Sequence, residues 1–196
     1  MQAFVKLLLR PMEMNLPSKY RFADYSPGWP SEFDREAARL ALLLGKELVR
    51  VHHIGSTSVP GLPAKPIIDL LPVVRDIARI DDYRLKFEET GYKAWGEYGI
   101  PGRRYFTKDR AEYRTHNVHI FQQDNPEIER HLAFCAYLRS LQEVRDEYAV
   151  LKREVFARHP ADIGAYSDGK DRWIKRVERL AVDWYRKQIQ SNRSVR

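Results

Sequence analysis

Cysteine is almost missing from this chain: Cys135 is the single one in 196 residues. That excludes an internal disulfide framework and a cysteine-rich zinc module. No apolar run approaches the ~18 residues of a membrane-spanning helix, and the mean hydropathy is −0.58. Internal repeats and low-complexity linkers are absent, as is the full glycine-lysine pattern of a phosphate-binding P-loop. No serine has the strand-turn-helix setting of a hydrolase nucleophile, because the Gly55-Ser56 pair leads through a loop into a strand. What is left is a chain of one-domain length, 43% hydrophobic and 31% charged, able to bury a core without staples.

The formal charge is +7, and acid is scarce only at the ends. Residues 1–21 carry Lys6, Arg10, Lys19 and Arg21 against Glu13, while residues 186–196 carry Arg186, Lys187, Arg193 and Arg196 and no acid. The ends hold the whole excess and residues 22–185 are neutral. A basic end is ordinarily a solvated one; the alternative is a weak, salt-sensitive contact with nucleic acid through the tails. The apolar stretch Met1–Leu9 has its charge in the wrong order for a secretory signal, and no small-residue cleavage site follows. The expected organisation is an extension over residues 1–20, a single domain over 21–188 and a basic tail over 189–196. The protein is expected to be cytoplasmic and free of membrane.

Periodicity supplies the elements. Ser31–Leu44 reads as an amphipathic helix capped by Ser31, with Phe33, Ala37, Leu40 and Leu44 on one face. Trp29, after Pro27-Gly28, anchors its start. Leu48–Ile54 reads as a strand ended by Gly55, and Ile67–Val74, apolar on both faces, as a buried central strand. A helix is expected over Asp81–Thr90, then strands over Tyr92–Tyr98, Arg104–Lys108 and Thr115–Gln122. Three helices close the chain. Asn125 and Pro126 start the first; Val144, Tyr148, Leu151 and Val155 set the face of the second. Ser167 caps the third, which runs to about Gln188 with Ile174, Val177, Leu180 and Trp184 inward. Trp173 also reads as core, and Cys135 as an inert buried thiol. The fold class is α+β: a mixed sheet covered by helices, with a helical C-terminal third.

Chemistry concentrates between His52 and Leu71. A strand ends at Gly55; Ser56, Thr57 and Ser58 follow; a Pro/Gly turn leads to Lys65; and the next strand carries one acid, Asp69. Small residues let backbone N–H groups approach an anion, hydroxyls add donors, and Lys65 adds positive charge. The competing reading of Gly55–Gly61 is a tight turn between strands. A carboxylate in a buried strand is costly unless it is paired or binds a ligand, so Asp69 is a metal ligand or catalyst, or else half of a structural ion pair.

Several segments together resemble the GrpB family: Tyr25 to Pro30, His53 to Gly61, Ala64 to Asp69, Gly99 to Phe106, Thr115 to His119 and Asn125 to Leu132. The resemblance covers roughly Phe22 to Tyr185. It implies the nucleotidyltransferase-like fold shared with polymerase-β-like enzymes, in which a Gly-Ser pair holds nucleoside triphosphate phosphates and acids on the next strand hold magnesium. By that resemblance Gly55 and Ser56 fall on the phosphate-binding pair and Asp69 on the first metal acid. The pattern wants a second acid two residues on, where side chains share a strand face. Here that residue is Leu71, and a lone acid makes a poor two-metal site.

Replacement ligands are at hand. Glu97 stands just before the Gly99–Phe106 segment, and His119 and Asn117 share a strand face while His116 points to the other. A site of Asp69, Glu97 and His119 is expected to hold one Mg²⁺ or Mn²⁺; the alternative makes His53, His116 and His119 hydrogen-bonded core or cleft histidines. Arg104 heads a strand and is the candidate anion contact, with Arg103 on an exposed rim. Lys170, in the first turn after Ser167, opposes the helix dipole, so it is expected to meet a phosphate there, with Tyr166 stacking on a base. Two functions follow. One is an enzyme that binds a nucleoside triphosphate with a divalent metal and transfers a nucleotidyl group. The other is a non-catalytic phospholigand-binding or accessory module, in keeping with the family's occurrence fused to dephospho-CoA kinases.

Overall fold

The computed structural model describes residues 21–194, so the extension expected over residues 1–20 lies outside the described residues. Helix α1 (Trp29–Leu44) is followed by strands β1 (Leu48–Ile54) and β2 (Ile68–Val74) and a short helix α2 (Arg84–Glu89). Strands β3 (Tyr92–Ala94), β4 (Arg103–Arg110) and β5 (Tyr113–Gln122) come next, then helices α3 (Pro126–Ser140), α4 (Gln142–Arg158) and α5 (Ile163–Ser194). The five strands lie in the order β1-β2-β5-β4-β3, with β2 and β5 parallel and every other pair antiparallel. The mixed α+β fold matches the sequence reading.

The sheet has two unlike faces. Ile68, Leu70, Val74, Val118, Ile120 and Phe106 point to the side of α1 and α2, where Leu40, Leu44, Ile80 and Phe87 complete the larger core. Leu71, Val73 and Phe121 point the other way and meet Ile128, Leu132 and Cys135 of α3. Asp69 and Leu71 share this second face by strand alternation. At its inner end the face is apolar and sealed; toward β4 and the start of α5 it opens.

One buried acid holds the first layer. Glu36, 2% exposed, accepts from Arg39 (2.7 Å), the Tyr92 hydroxyl (2.7 Å) and Lys108 Nζ (2.7 Å). Burial works to raise its pKa, and Lys108 and Tyr92 outweigh this and draw it to about 2. Glu36→Gln keeps the shape and removes the charge that fixes α1 to the β3–β4 edge. We expect it to cost about 2 kcal/mol of unfolding free energy, read by urea titration at pH 7.

Several boundaries differ from those expected. Helix α1 starts at Trp29 with Gly28 as its cap, because the Trp29 amide closes a turn onto Ser26 and Pro30 suits a first helical turn; Ser31 caps nothing. The helix expected over Asp81–Thr90 divides into a 3-10 segment, Ala78–Tyr83, and α2. Strand β3 stops at Ala94, since Gly96, Tyr98 and Gly99 take positive φ and turn the chain. Asn125 caps α3 as read, its side chain accepting from the Glu127 amide at 2.9 Å. Helix α5 begins at Ile163, where Asp162 Oδ1 takes the Ala165 amide (2.9 Å), and it continues to Ser194, past the expected Gln188. Ser167 is thus one turn inside the helix, its hydroxyl donating to the Ile163 carbonyl (2.8 Å). Leu180 is exposed, while Val177 and Ala181 are inward. Arg186, counted with the basic tail, is paired with Glu129 at 2.7 Å.

Candidate functional site

The Gly55 turn is built around the Asp69 carboxylate. Gly55 has φ +68° and ψ −172°, a region closed to other residues. A Cβ there would fall 3.0 Å from Asp69 Cγ and closer still to its Oδ2. Thr57 is buried; its hydroxyl donates to the Ile67 carbonyl (3.3 Å) and is bonded to His53 Nε2 (3.0 Å). The Ser58 hydroxyl donates back to the Gly55 carbonyl at 2.7 Å. Thr57 and Ser58, expected as phosphate donors, therefore spend their hydroxyls on the turn itself. His53 stacks on Phe33 (4.6 Å), and burial pulls its pKa down to about 4 against the pull of Asp69. It is a structural histidine.

Asp69 faces a pocket of about 160 Å³ lined by Ser56, Lys65, Asn117, Tyr148, Lys152 and Lys170, among others. Its Oδ1 accepts from Asn117 Nδ2 at 2.8 Å and lies 3.8 Å from His119 Nε2. Burial opposes its ionisation, but His119, Asn117 and Lys65 prevail and hold its pKa below the usual carboxylate range. Among the described residues no arginine is ion-paired with it. Arg103 NH1 stands 3.3 Å from His119 Nδ1. A guanidinium can only donate, so Nδ1 is the acceptor and the His119 proton sits on Nε2, toward Asp69.

Three lysines surround the pocket, and one of them escaped the sequence reading. Lys152 is 2% exposed and Lys170 6%. Lys152 Nζ donates to the Pro63 carbonyl and lies 5.1 Å from the Tyr148 ring centre. Lys170 Nζ donates to the Tyr166 carbonyl (2.9 Å) and sits 3.7 Å over the Tyr166 ring, with Lys65 on the same ring at 5.2 Å. Burial, then the Lys65 charge, brings Lys170 down to about 7; burial and its two lysine neighbours push Lys152 well down, and burial lowers Lys65. Helix packing sets this up: Gly169 lets α5 approach α4 so closely that a Cβ would lie 2.6 Å from Val155 Cγ1. Lys152 shares the helical spacing of Tyr148 and Val155, which was the available signal.

Beyond Lys65 and Asn117 the pocket widens into an outer cleft of about 620 Å³. Its walls include Trp95, Tyr98 and Tyr105, Lys93 lying over the Trp95 ring at 4.3 Å, together with Arg114, Asp109 and the start of α5. Tyr98 stacks on Tyr105 at 5.3 Å, and Trp95 lies 5.6 Å from Tyr98. Asn117 joins the two compartments: its Oδ1 accepts from the Tyr105 hydroxyl (3.0 Å) and Arg114 (3.2 Å), while its amide holds Asp69. These aromatics were not foreseen, because β4–β5 register (Tyr105 opposite His119, Thr107 opposite Asn117) decides who joins this face.

Other expected members stand elsewhere. Glu97 is on the rim, its Oε1 accepting from the Gly102 amide at 2.7 Å and lying 3.8 Å from Arg104. Arg104 points to the α2 side and binds Asp81 through two bonds, of 2.6 and 2.7 Å. Arg103 is the buried one, held by the Glu97 and Tyr98 carbonyls beside His119, so the two arginines exchange their expected places. His116 lies on the opposite face near Glu36, bonded to Thr115 at 2.9 Å. Tyr166 is buried between lysines and Phe156, a support for ammonium groups and not a base-stacking ring. Lys170 acts from within a helix, not at its start.

Two divalent ions do not fit this donor set. Leu71 is fully buried in the apolar cluster with Ile54 and Phe121, Glu97 is drawn to Gly102, and Asp69 is the pocket's single carboxylate. Among the described residues no group of three or more His, Cys, Asp or Glu is placed to hold a metal.

The mixed sheet and its covering helices have a nucleotidyltransferase-like fold. In keeping with this, a chain of the GLD-2/RNP-8 complex aligns at a TM-score of 0.52 and 12% identity, over 74% of this chain and 57% of that one. The GrpB protein family model matches residues 19–180, and the chain belongs to that family. GrpB from Enterococcus faecalis, a crystal structure, is 44% identical with a TM-score of 0.81, covering 84% of this chain and 99% of that one. UPF0157 protein YqkA of Bacillus subtilis is 44% identical over 96% of this chain, which spans 55% of YqkA's length. A dephospho-CoA kinase of Mycolicibacterium paratuberculosis is 29% identical over 84% of this chain and 46% of its own. Among the described residues no helix is long and apolar enough to cross a membrane.

Proposed function

We propose that the protein binds a nucleoside triphosphate in this two-part cleft, phosphates inward and base outward, without transferring a nucleotidyl group. The observation that carries the reading is the set of three lysines around one carboxylate beside the Gly55-Ser56 turn. Such a pocket is matched by a polyanion, and the Trp95–Tyr98–Tyr105 wall offers faces for a base to stack on. The donor set gives Mg²⁺ or Mn²⁺ no protein site of the two-metal kind. A binding role accords with a family that also matches part of a dephospho-CoA kinase. A nucleotide ligand goes with a cytoplasmic location.

Calorimetry with each of the four common nucleoside triphosphates tests this. Tyr98→Ala is expected to weaken nucleoside triphosphate binding about tenfold, the order of one lost stacking contact, and to leave inorganic tripolyphosphate untouched. Equal affinity of variant and parent for every nucleotide removes the base from the outer cleft. Incubation with Mg²⁺ or Mn²⁺ is expected to release no pyrophosphate; release would restore the transferase reading.

A further inference from the structure

We infer that the inner pocket takes its phosphate chain free of divalent metal, with the ammonium groups of Lys65, Lys152 and Lys170 in the place of the ions. This rests on the proposed polyphosphate reading and deepens it. Enzymes that clamp phosphoryl oxygens with a pair of ions need carboxylates to hold those ions. Here the strand position two residues after Asp69 is filled by buried Leu71, and Glu97 is held on the rim by the Gly102 amide. Positive charge is supplied instead from three separate segments: the loop before β2, α4 and α5.

The arrangement makes little sense as packing alone. Burying like charges side by side costs free energy unless counter-charge is present. Among the pocket's lining residues Asp69 is the single carboxylate against the three lysines. A phosphate chain supplies what is missing, as several oxygens at the spacing that multiple ammonium groups can share. Tyr148 and Ser56 add hydroxyls on the same wall. The pocket, at about 160 Å³, has room for a phosphate chain and not for the whole nucleotide. Asp69 then partly offsets the effect of burial on Lys65 and Lys152, and is the stop behind Gly55.

The probe is inorganic tripolyphosphate, titrated into the full chain in EDTA and again in millimolar Mg²⁺. Binding is expected to be at least as tight in EDTA, because Mg²⁺ screens the ligand from the lysines. Lys65→Met and Lys152→Met are each expected to weaken it about tenfold or more, from one lost charge-assisted contact. Asp69→Asn is expected to tighten it several-fold in EDTA by removing like charge. Binding that requires Mg²⁺ and is lost in Asp69→Asn would overturn the inference, and so would no tripolyphosphate binding in either buffer. Both comparisons on the unaltered protein stand even where a variant fails to fold. Nucleotides that bind no better than tripolyphosphate would sink the nucleoside part of the proposed function and leave this inference standing.

Discussion

Gly55→Ala is expected to destabilise the protein by at least about 3 kcal/mol, the sum of a backbone conformation reserved for glycine and a clash that cannot relax. At φ +68° any Cβ is strained, and here it would press on the Asp69 carboxyl group. Asp69 cannot retreat easily: Asn117 holds its Oδ1, and β1 and β2 are paired at Ile54 and Asp69. A double-mutant cycle separates the two costs. Asp69→Ala removes the carboxylate, so the double variant should regain part of the loss through a coupling of about 1 kcal/mol, while the backbone strain persists. Urea midpoints of the four proteins give the answer; a Gly55→Ala chain as stable as its parent would mean that the turn is not formed around Asp69.

The second large effect is a stability that climbs with pH in the absence of ligand. Lys170 has a folded-state pKa near 7 against an ordinary 10.5. Below pH 7 it is charged folded and unfolded, and the cost of burial is fully present. From pH 7 upward the unfolded chain holds a proton that the folded one has shed, so unfolding becomes harder by about 1.4 kcal/mol per pH unit for this one group. Lys65, Lys152 and Asp168 face it, and the two lysines, shifted the same way, add to the slope. Cys135, Tyr148 and Tyr92, all raised, reverse the trend in more alkaline solution, so the window runs from pH 7 to about pH 9. Between pH 7 and pH 8.5 the gain should reach about 2 kcal/mol by urea titration. Lys170→Met should make it shallower by that group's share, and saturating tripolyphosphate should flatten it by keeping the ammonium groups protonated. A profile that is level in the unaltered, ligand-free protein would contradict the burial of charge described here.

Much of this was legible beforehand, and the exceptions have a common cause. Strand β1 was read to its ends because glycine closes it, and β2 to within one residue at its start because its apolar run is long, broken only by Asp69. Gly55, Ser56, Lys65 and Asp69 lie within fifteen residues of one another and were read as one pocket from local spacing. Whatever depended on pairing between distant strands or helices was not visible. Arg103 and Arg104 differ by one residue, and only the register of β4 on β5 says which turns toward His119. Lys152 sat unremarked on an apolar helix face, because nothing in the sequence of α4 announces that α5 will press on it through Gly169. Ser167 looked like a helix cap since Ser commonly is one, yet Asp162 had already opened the helix a turn earlier.

Lys65, Lys152 and Lys170 come from three separate segments, the loop before β2, α4 and α5. On the proposed reading a seated anion is shared by the loop before β2 and the last two helices, through Lys65, Lys152 and Lys170. On that reading, occupancy ties the last two helices to the sheet, and hydrogen exchange of α4 and α5 should slow when tripolyphosphate is added.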